Sequence, residues 1–471
     1  MRRVTARATP LWTSDEIVAA TGGTIAGGLF EAHGVTFDSR EVQPGDLFVA
    51  MPGTATDGHR FVAGAMASGA AAALVSQAVA KGENWGPHVM VADVAAALTA
   101  LAIAARARMA GRVIGVTGSV GKTSTKEALA AALDRNVDCV VHRSVKSYNN
   151  HTGVPLSLAR MPRDADFAVL EMGMNNAGEI AALTRLVRPH VAIVNAIAPA
   201  HIENLGSIEA IADAKAEIFE GLEPGGIAIV PEDSPQRDRL VKAARRFADR
   251  VVTFGSGEAD VSAVHAVRAA NGGSLVTARL ASSELTFTIA QRGDHWVSNA
   301  LAVLAAVEAV DADPAIAGLA LGDMSGLKGR GERHRVITDG GSFLLIDESY
   351  NANPASMAAT LKSLGAERES GRRIAVLGPM RELGEHADDA HAGLAPAVLE
   401  AKVDQLILVG DDMAPLEQAL AGAIPLTRVE GVESASNALI ALVRAGDVVL
   451  VKASNSIGLA RLVERVAGGS A

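Results

Sequence analysis

Cysteine is almost missing from this chain: Cys139 is the only one among 471 residues. A single thiol cannot form a disulfide within the chain, so stability has to come from burial, and a reducing, cytoplasmic setting is expected. Aromatic residues amount to 3%. Cores built around large rings are thereby excluded, and helices packed onto sheets through Ala, Val, Leu and Ile are expected instead. Long apolar runs are absent too. The Ala-rich stretch from Val94 to Ala110 is interrupted by Arg106 and Arg108, which marks an amphipathic helix and not a membrane span. No solid apolar stretch follows Met1-Arg2-Arg3 before Asp15 and Glu16, so a secretory leader is not expected. Positive charge is in the minority, with a net charge of −10. That argues against a sequence-independent grip on nucleic acid, but leaves room for a local basic site for an anionic small molecule. No internal repeat and no low-complexity segment is visible.

What is present suffices for several cores: 49% hydrophobic and 20% charged residues. At about 150 residues per domain, the length suggests three. The fold class is α/β in each. Residues 1–110 mix short strands (47–51, 72–75, 88–92) with helices at 61–69 and 94–110. Residues 111–326 open on the β-branched strand 112–117 and a helix over 123–133. Strands at 167–170, 191–194 and 227–230 then alternate with helices, predicting a mostly parallel sheet. A strand-rich patch over 251–290 and a helix over 299–310 close this unit. After the Gly-rich link 326–331, residues 327–471 alternate again, with strands at 343–346, 374–377, 406–409 and 448–451, as a smaller Rossmann-like unit would.

The sharpest signal is Gly118-Ser119-Val120-Gly121-Lys122-Thr123, followed by Ser124-Thr125, directly after strand 112–117. A phosphate loop needs backbone amides converging at a helix N-terminus, and glycines let the backbone come close to the phosphates. Lys122 supplies a cation for the terminal phosphates, and Thr123 a hydroxyl for Mg²⁺. The competing reading is an ordinary strand–helix turn that ends by chance in Gly-Lys-Thr. The spacing is unusual. The general phosphate loop has Gly six residues before the Lys, and Val116 stands there.

Glu171 follows strand 167–170, at the end where a carboxylate beside a phosphate loop is placed to hold Mg²⁺; the lesser competing reading is a Glu that caps the next turn. His201, in Ala200-His201-Ile202-Glu203-Asn204, reads by itself as a surface histidine, and Lys215 as a solvated helix lysine.

Taken together, these residues resemble the Mur ligase family, ATP-dependent amide-forming enzymes of peptidoglycan synthesis, along nearly the whole chain. Thr117–Thr123 is similar to that family's variant phosphate loop. The resemblance implies that Thr123 and Glu171 hold one Mg²⁺, that His201 and a carbamylated Lys215 hold a second, and that Asn299 contacts adenine. It makes Gly329-Arg330 an interdomain arginine motif, with Arg330, Asp347 and Tyr350 completing the ATP pocket from the third unit. Asp38-Ser39-Arg40, Pro44–Phe48 and Asp57-Gly58-His59 resemble a uridine-binding N-terminal domain, with Ser39 and Arg40 on the substrate. Asn149 and Asn150, before Gly153-Val154-Pro155, would line the nucleotide-sugar site. Asp347-Glu348-Ser349-Tyr350-Asn351-Ala352-Asn353-Pro354 resembles the branch that joins D-alanyl-D-alanine to UDP-N-acetylmuramoyl tripeptide. Two segments depart from the family's usual wording. Leu377-Gly378-Pro379-Met380 stands for Leu-Gly-Asp-Met, and Lys452-Ala453-Ser454-Asn455 for Lys-Gly-Ser-Arg, which removes a cation that could meet a substrate carboxylate.

The implied chemistry activates the tripeptide carboxylate as an acyl phosphate, which the dipeptide amine then attacks. The expected form is a monomer, without nucleic acid or membrane span. Three other readings were weighed. A folylpolyglutamate synthase should lack the Asp38-Ser39-Arg40 domain. The ligase for the third peptide residue should carry Asp-Asn-Pro-Arg, and a switch ATPase or GTPase should carry the longer loop and Asn-Lys-x-Asp. Asp38-Ser39-Arg40 is present, and neither Asp-Asn-Pro-Arg, the longer loop nor Asn-Lys-x-Asp is found.

Overall fold

The computed structural model describes residues 9–53, 56–78, 85–135, 139–199, 202–269, 272–338, 340–367 and 370–468. Three sheets organise it. The first has five strands, in the order Thr24–Ala26, His88–Met90, Ala72–Val75, Asp46–Val49, Gly34–Thr36, parallel except for the first pair. Helix α1 (Val94–Arg108) follows; the Asp93 carboxylate caps it by accepting from Ala95 and Ala96 N–H. Its small apolar residues face two ways. Leu98, Leu101 and Ala105 share a core with the first sheet and with Leu156 and Ala159 of the next unit, while Ala102 joins the core beyond. The first unit is thus fastened to the second by continuous burial.

The second sheet has nine strands. Third from one edge is β1 (Arg112–Thr117), whose Val and Ile are buried on both faces, as parallel strands under helices require. The chain passes through α2 (Lys122–Asp134) to an edge strand, Val141–Arg143. It comes back to β2 (Phe167–Glu171) beside β1, then crosses to β3 (Val191–Val194) on the other side of β1. The carboxyl ends of β1, β2 and β3 therefore open on one crevice at the point where strand order reverses, the usual ligand site of such sheets.

The parallel run extends through Ile227–Pro231 and Arg250–Gly255 to Val261–Arg268. The last two strands, Ser274–Arg279 and Glu284–Ile289, are antiparallel. The expected parallel sheet thus ends in a meander, because the connections there are a few residues long and a parallel crossover needs a dozen or more. Helix α3 (His295–Ala309) starts four residues before its expected first turn. Helix Pro314–Asp323 was not anticipated: PAIAGLALGD is apolar all round and shows no helical periodicity.

The third sheet runs β4 (Glu332–Thr338), β5 (Gly341–Glu348), Val448–Lys452, Arg373–Leu377, Gln405–Val409, Leu426–Val429, parallel except for β4. Both edge strands escaped the sequence analysis. Edge strands are half solvated and carry charge instead of an apolar run, as ERHRVIT and LTRV do. No helix among the described residues is long and apolar enough to cross a membrane.

Candidate active site

The phosphate loop leaves the carboxyl end of β1 and enters α2 with Gly121 as its N-cap. Gly118 has φ 152° and Gly121 φ 81°, conformations that side chains avoid. Space excludes a side chain as well: a Cβ on Gly121 would stand 2.4 Å from Asn195 Nδ2 and 2.9 Å from Asn299 Oδ1. The first-turn amides of α2 are left open to the crevice, where an anion is favoured. Lys122 folds back over the loop, its Nζ donating to Gly118 O at 2.7 Å. Burial lowers its pKa; Glu171 opposes this and the charge of Arg330 adds to it. Ser119, Val120 and Ser124 line the same cavity.

Thr123 and Glu171 meet across neighbouring strand ends. Thr123 Oγ1 donates to Glu171 Oε2 at 2.8 Å, and Glu171 is 1% exposed. Asn149 Nδ2 donates to the other carboxylate oxygen at 2.7 Å. The Thr123 hydroxyl also lies 3.2 Å from Ser147 Oγ. Asn149 therefore orients the carboxylate. Asn150 is exposed, and its Oδ1 accepts from Thr152 and Gly153 N–H at the start of helix Gly153–Ala159.

Lys215 lies at the end of helix Ile208–Ala216 and is 1% exposed, not solvated. Burial, reinforced by the like charge of Lys122, pushes its pKa well below the ordinary lysine range. Among the described residues no acid counters these effects. His201 lies outside the described residues.

A cavity of about 300 Å³ separates the loop from the third unit, with Asn299, Arg330, Glu348 and Lys452 in its walls. Asn299 Oδ1 accepts from Asn195 Nδ2 at 2.9 Å, while Asn299 Nδ2 is buried without a protein partner. An unpartnered buried donor beside a phosphate loop fits a base acceptor. Arg330 stacks over the Tyr350 ring, 4.4 Å from its centroid. Both residues also line a second cavity of about 370 Å³, together with Thr123, Ser147 and Asn455. Asp347 turns to the backbone instead, accepting from Gly329 N–H at 2.9 Å and Ser349 N–H at 3.0 Å. It fixes the turn that carries Arg330.

Ser39 and Arg40 follow the first-sheet strand Gly34–Thr36. Arg40 is exposed and grips Asp38 at 2.8 and 2.6 Å, which holds the Asp38 pKa down to about 2. At neighbouring strand ends, His59 Nδ1–H donates to Asp57 at 2.6 Å and His59 Nε2 accepts from Ser76 N–H at 2.9 Å. The expected uridine-site residues thus share the carboxyl edge of that sheet.

Sequence analysis missed Asn195, Ser147 and Lys126. Asn195 directly follows β3, so the strand-end rule that singled out Glu171 could have found it. Nothing in the sequence singles out Ser147. The two departing segments touch: Ser454 N–H donates to Pro379 O at 3.1 Å, and a Cβ on Gly378 would stand 2.8 Å from that of Ala453.

Comparison with known proteins covers this whole arrangement. Family models match over residues 31–137 (Mur ligase family, catalytic domain), 116–307 (Mur ligase middle domain) and 329–455 (Mur ligase, glutamate ligase domain). A relative from Bacillus subtilis (strain 168), called UDP-N-acetylmuramoyl-tripeptide--D-alanyl-D-alanine ligase, is 33% identical over 96% of this chain and 97% of its own. One of the same name from Escherichia coli (strain K12) is 35% identical over 84% and 86%. Among solved structures, MurF from Acinetobacter baumannii superposes with a TM-score of 0.82 at 28% identity, over 97% of this chain and 99% of that one. MurF ligase from Thermotoga maritima in complex with ADP gives 0.75 at 26%, over 92% and 97%.

Proposed function

The chain belongs to the Mur ligase family, and from that premise we propose that it joins D-alanyl-D-alanine to UDP-N-acetylmuramoyl tripeptide at the expense of ATP, forming ADP and phosphate. The observation that carries this is the contact of Thr123 Oγ1 with Glu171 Oε2, 2.8 Å apart beneath the phosphate loop. Two hard oxygens at that spacing match the edge of an octahedron of about 2.1 Å bonds, so the pair fits Mg²⁺. The Thermotoga maritima relative was solved in complex with ADP, which supports ATP as the nucleotide used here.

A carboxylate is a poor electrophile and must be activated before an amine can attack it. Its oxygen takes the γ-phosphoryl group, giving an acyl phosphate and ADP; the dipeptide amine then forms the C–N bond, loses a proton, and phosphate departs. Carboxylate and triphosphate must first meet at about 3 Å, against a repulsion of several kcal/mol even at an effective dielectric near 20. Lys122 and Arg330 offset it, and Mg²⁺ bound by Thr123 and Glu171 would neutralise further charge. Lys215 and His201 would hold a second Mg²⁺, as the family resemblance implies. Burial pushes the Lys215 pKa down and so favours its neutral amine, the form able to add CO₂; a carbamate there would offer the oxygens that Mg²⁺ prefers. Asn299 would read adenine, with Ser119, Val120 and Ser124 around the phosphates and Tyr350 holding Arg330 in place. Residues 1–110, with Ser39 and Arg40, would hold the uridine end, residues 111–326 the ATP, and residues 327–471 the dipeptide. Closure of the third unit over the second would exclude water that would hydrolyse an acyl phosphate.

Phosphate release tests the reading. ATP alone, or ATP with either substrate alone, should release little; both substrates together should raise the rate at least about 100-fold, the scale of properly placed reacting groups. A rate indifferent to the additions would refute it.

A further inference from the structure

Lys126 has no part in the chemistry above, yet it is a charged side chain with 0% exposure, among the largest fully buried ones in the chain. It lies on α2, one turn beyond Lys122, with its ammonium turned away from the phosphate loop. Nζ donates to Ser144 O at 2.7 Å and Lys146 O at 2.6 Å, and pairs with Glu127 Oε1 at 2.9 Å. Glu127 in turn holds Arg143 at 2.9 Å. A buried ammonium needs such partners, and here the carboxylate is its neighbour on α2 while both carbonyls belong to one segment, Ser144–Asn149.

That segment reaches the site in three places. Ser144 Oγ accepts from Glu171 N–H at 3.2 Å, Ser147 Oγ lies 3.2 Å from Thr123 Oγ1, and Asn149 Nδ2 donates to Glu171 Oε1 at 2.7 Å. The segment does not hold this shape by preference, since Lys146 has φ 53°, a left-handed conformation unfavourable for a side-chain residue. At the same point it reaches the first unit, where Lys146 pairs with Glu41 and Tyr148 packs against Phe37, ring centroids 5.4 Å apart.

We propose that Lys126 is a positioning residue: by clamping the carbonyls of Ser144 and Lys146 to α2, it aims Asn149 and Ser147 at Glu171 and Thr123, and so sets the affinity of that oxygen pair for a divalent cation. The inference rests on Glu171 and Thr123 being the cation ligands. Among the described residues, backbone bonds to other elements fix the segment only at its ends, where Ser144 N–H donates to Val169 O at 3.1 Å and Asn149 O accepts from Gly173 N–H at 2.8 Å; the carbonyls of Ser144 and Lys146 are held by Lys126 Nζ. The cation also ties α2, the segment and the first unit into one body.

The test is Mn²⁺ binding to the full-length protein with ADP present, followed by electron paramagnetic resonance. Lys126→Met keeps the volume and removes the donors. Its Mn²⁺ dissociation constant should rise about 10–100-fold, the range for lost outer-shell support of a metal site, while ADP affinity without metal stays within about threefold. An unchanged Mn²⁺ constant in a folded Lys126→Met protein would overturn the proposal. Should that variant fail to fold, Lys126→Arg decides: it keeps the charge but displaces the donor atoms, so a weakened Mn²⁺ affinity at an unaltered melting temperature supports positioning, and parental affinity refutes it. Glu171→Gln separates the two layers of the argument. If Glu171→Gln loses Mn²⁺ and the Lys126 variants do not, only the positioning role falls; if Glu171→Gln binds Mn²⁺ normally, the ligand assignment falls first.

Discussion

Lys215 shows best how little a residue's type says about its state. By type it is a helix lysine; by position it is buried, beside a second lysine, with its pKa pushed far down. A folded-state pKa below the unfolded value of about 10.4 means that the unfolded chain binds the proton more tightly, so an unmodified Lys215 costs stability below about pH 10.4, and the cost grows as pH falls toward the folded pKa. A carbamate on this amine removes the cost and brings a negative charge next to Lys122. Lys215→Ala should still fold, while kcat falls by several orders of magnitude, to be read from steady-state assays and thermal scans on the same preparations. Near-parental turnover would exclude a metal-ligand role. Neither burial nor partner was legible here: helical periodicity cannot tell a lysine facing solvent from one facing a crevice that other strands build. Glu171 was legible because strand ends are visible in sequence and a carboxylate at such an end has few other uses. What the motifs of Asp347 and Asn150 do not reveal is that their side-chain oxygens accept from backbone amides.

At the scale of elements, buried parallel strands were easy to find, because β1, β2 and β3 are short runs rich in Val, Ile, Ala and Leu. The edge strands β4 and Leu426–Val429 were invisible for the opposite reason. The short edge strand Val141–Arg143 shows what such an element can still do. His142 Nε2–H donates to Ser157 O at 2.7 Å, which ties the strand to helix Gly153–Ala159. Burial holds the His142 pKa down to about 4, with the nearby arginines adding to the effect. Its unfolded value is near 6.5. The unfolded chain therefore takes up a proton first, and the stability this imidazole contributes is complete above about pH 6.5 and lost as pH falls toward 4. Thermal scans should show the melting temperature falling between pH 7 and pH 4.5, and falling less in His142→Gln. An equal fall in both proteins would mean that other groups control the acid limb.

Over the whole molecule, three sheets meet where no single one could do the chemistry. The central unit offers the loop and the Glu171 carboxylate, the third brings Arg330 across a cavity, and the first shares its core with the second through α1. Glu367, with a nearly buried side chain, accepts from Arg333 at 2.8 Å and also pairs with Arg292 of the central unit, so the third unit is held to the second by a charged clasp as well as by any nucleotide between them. Division of the chain into three α/β units could be read from strand spacing; how the units face one another could not, because the contacts that decide it join residues far apart in sequence. The central claim is that this assembly makes a carboxylate reactive by phosphorylating it. Its most direct test uses UDP-N-acetylmuramoyl tripeptide labelled with ¹⁸O in both oxygens of the reacting carboxylate, supplied with ATP and D-alanyl-D-alanine, with the released phosphate examined by mass spectrometry. An acyl phosphate must leave one carboxylate oxygen on the phosphate, so each phosphate should carry one ¹⁸O; phosphate that carries none would mean that ATP is hydrolysed by water and that the account is wrong.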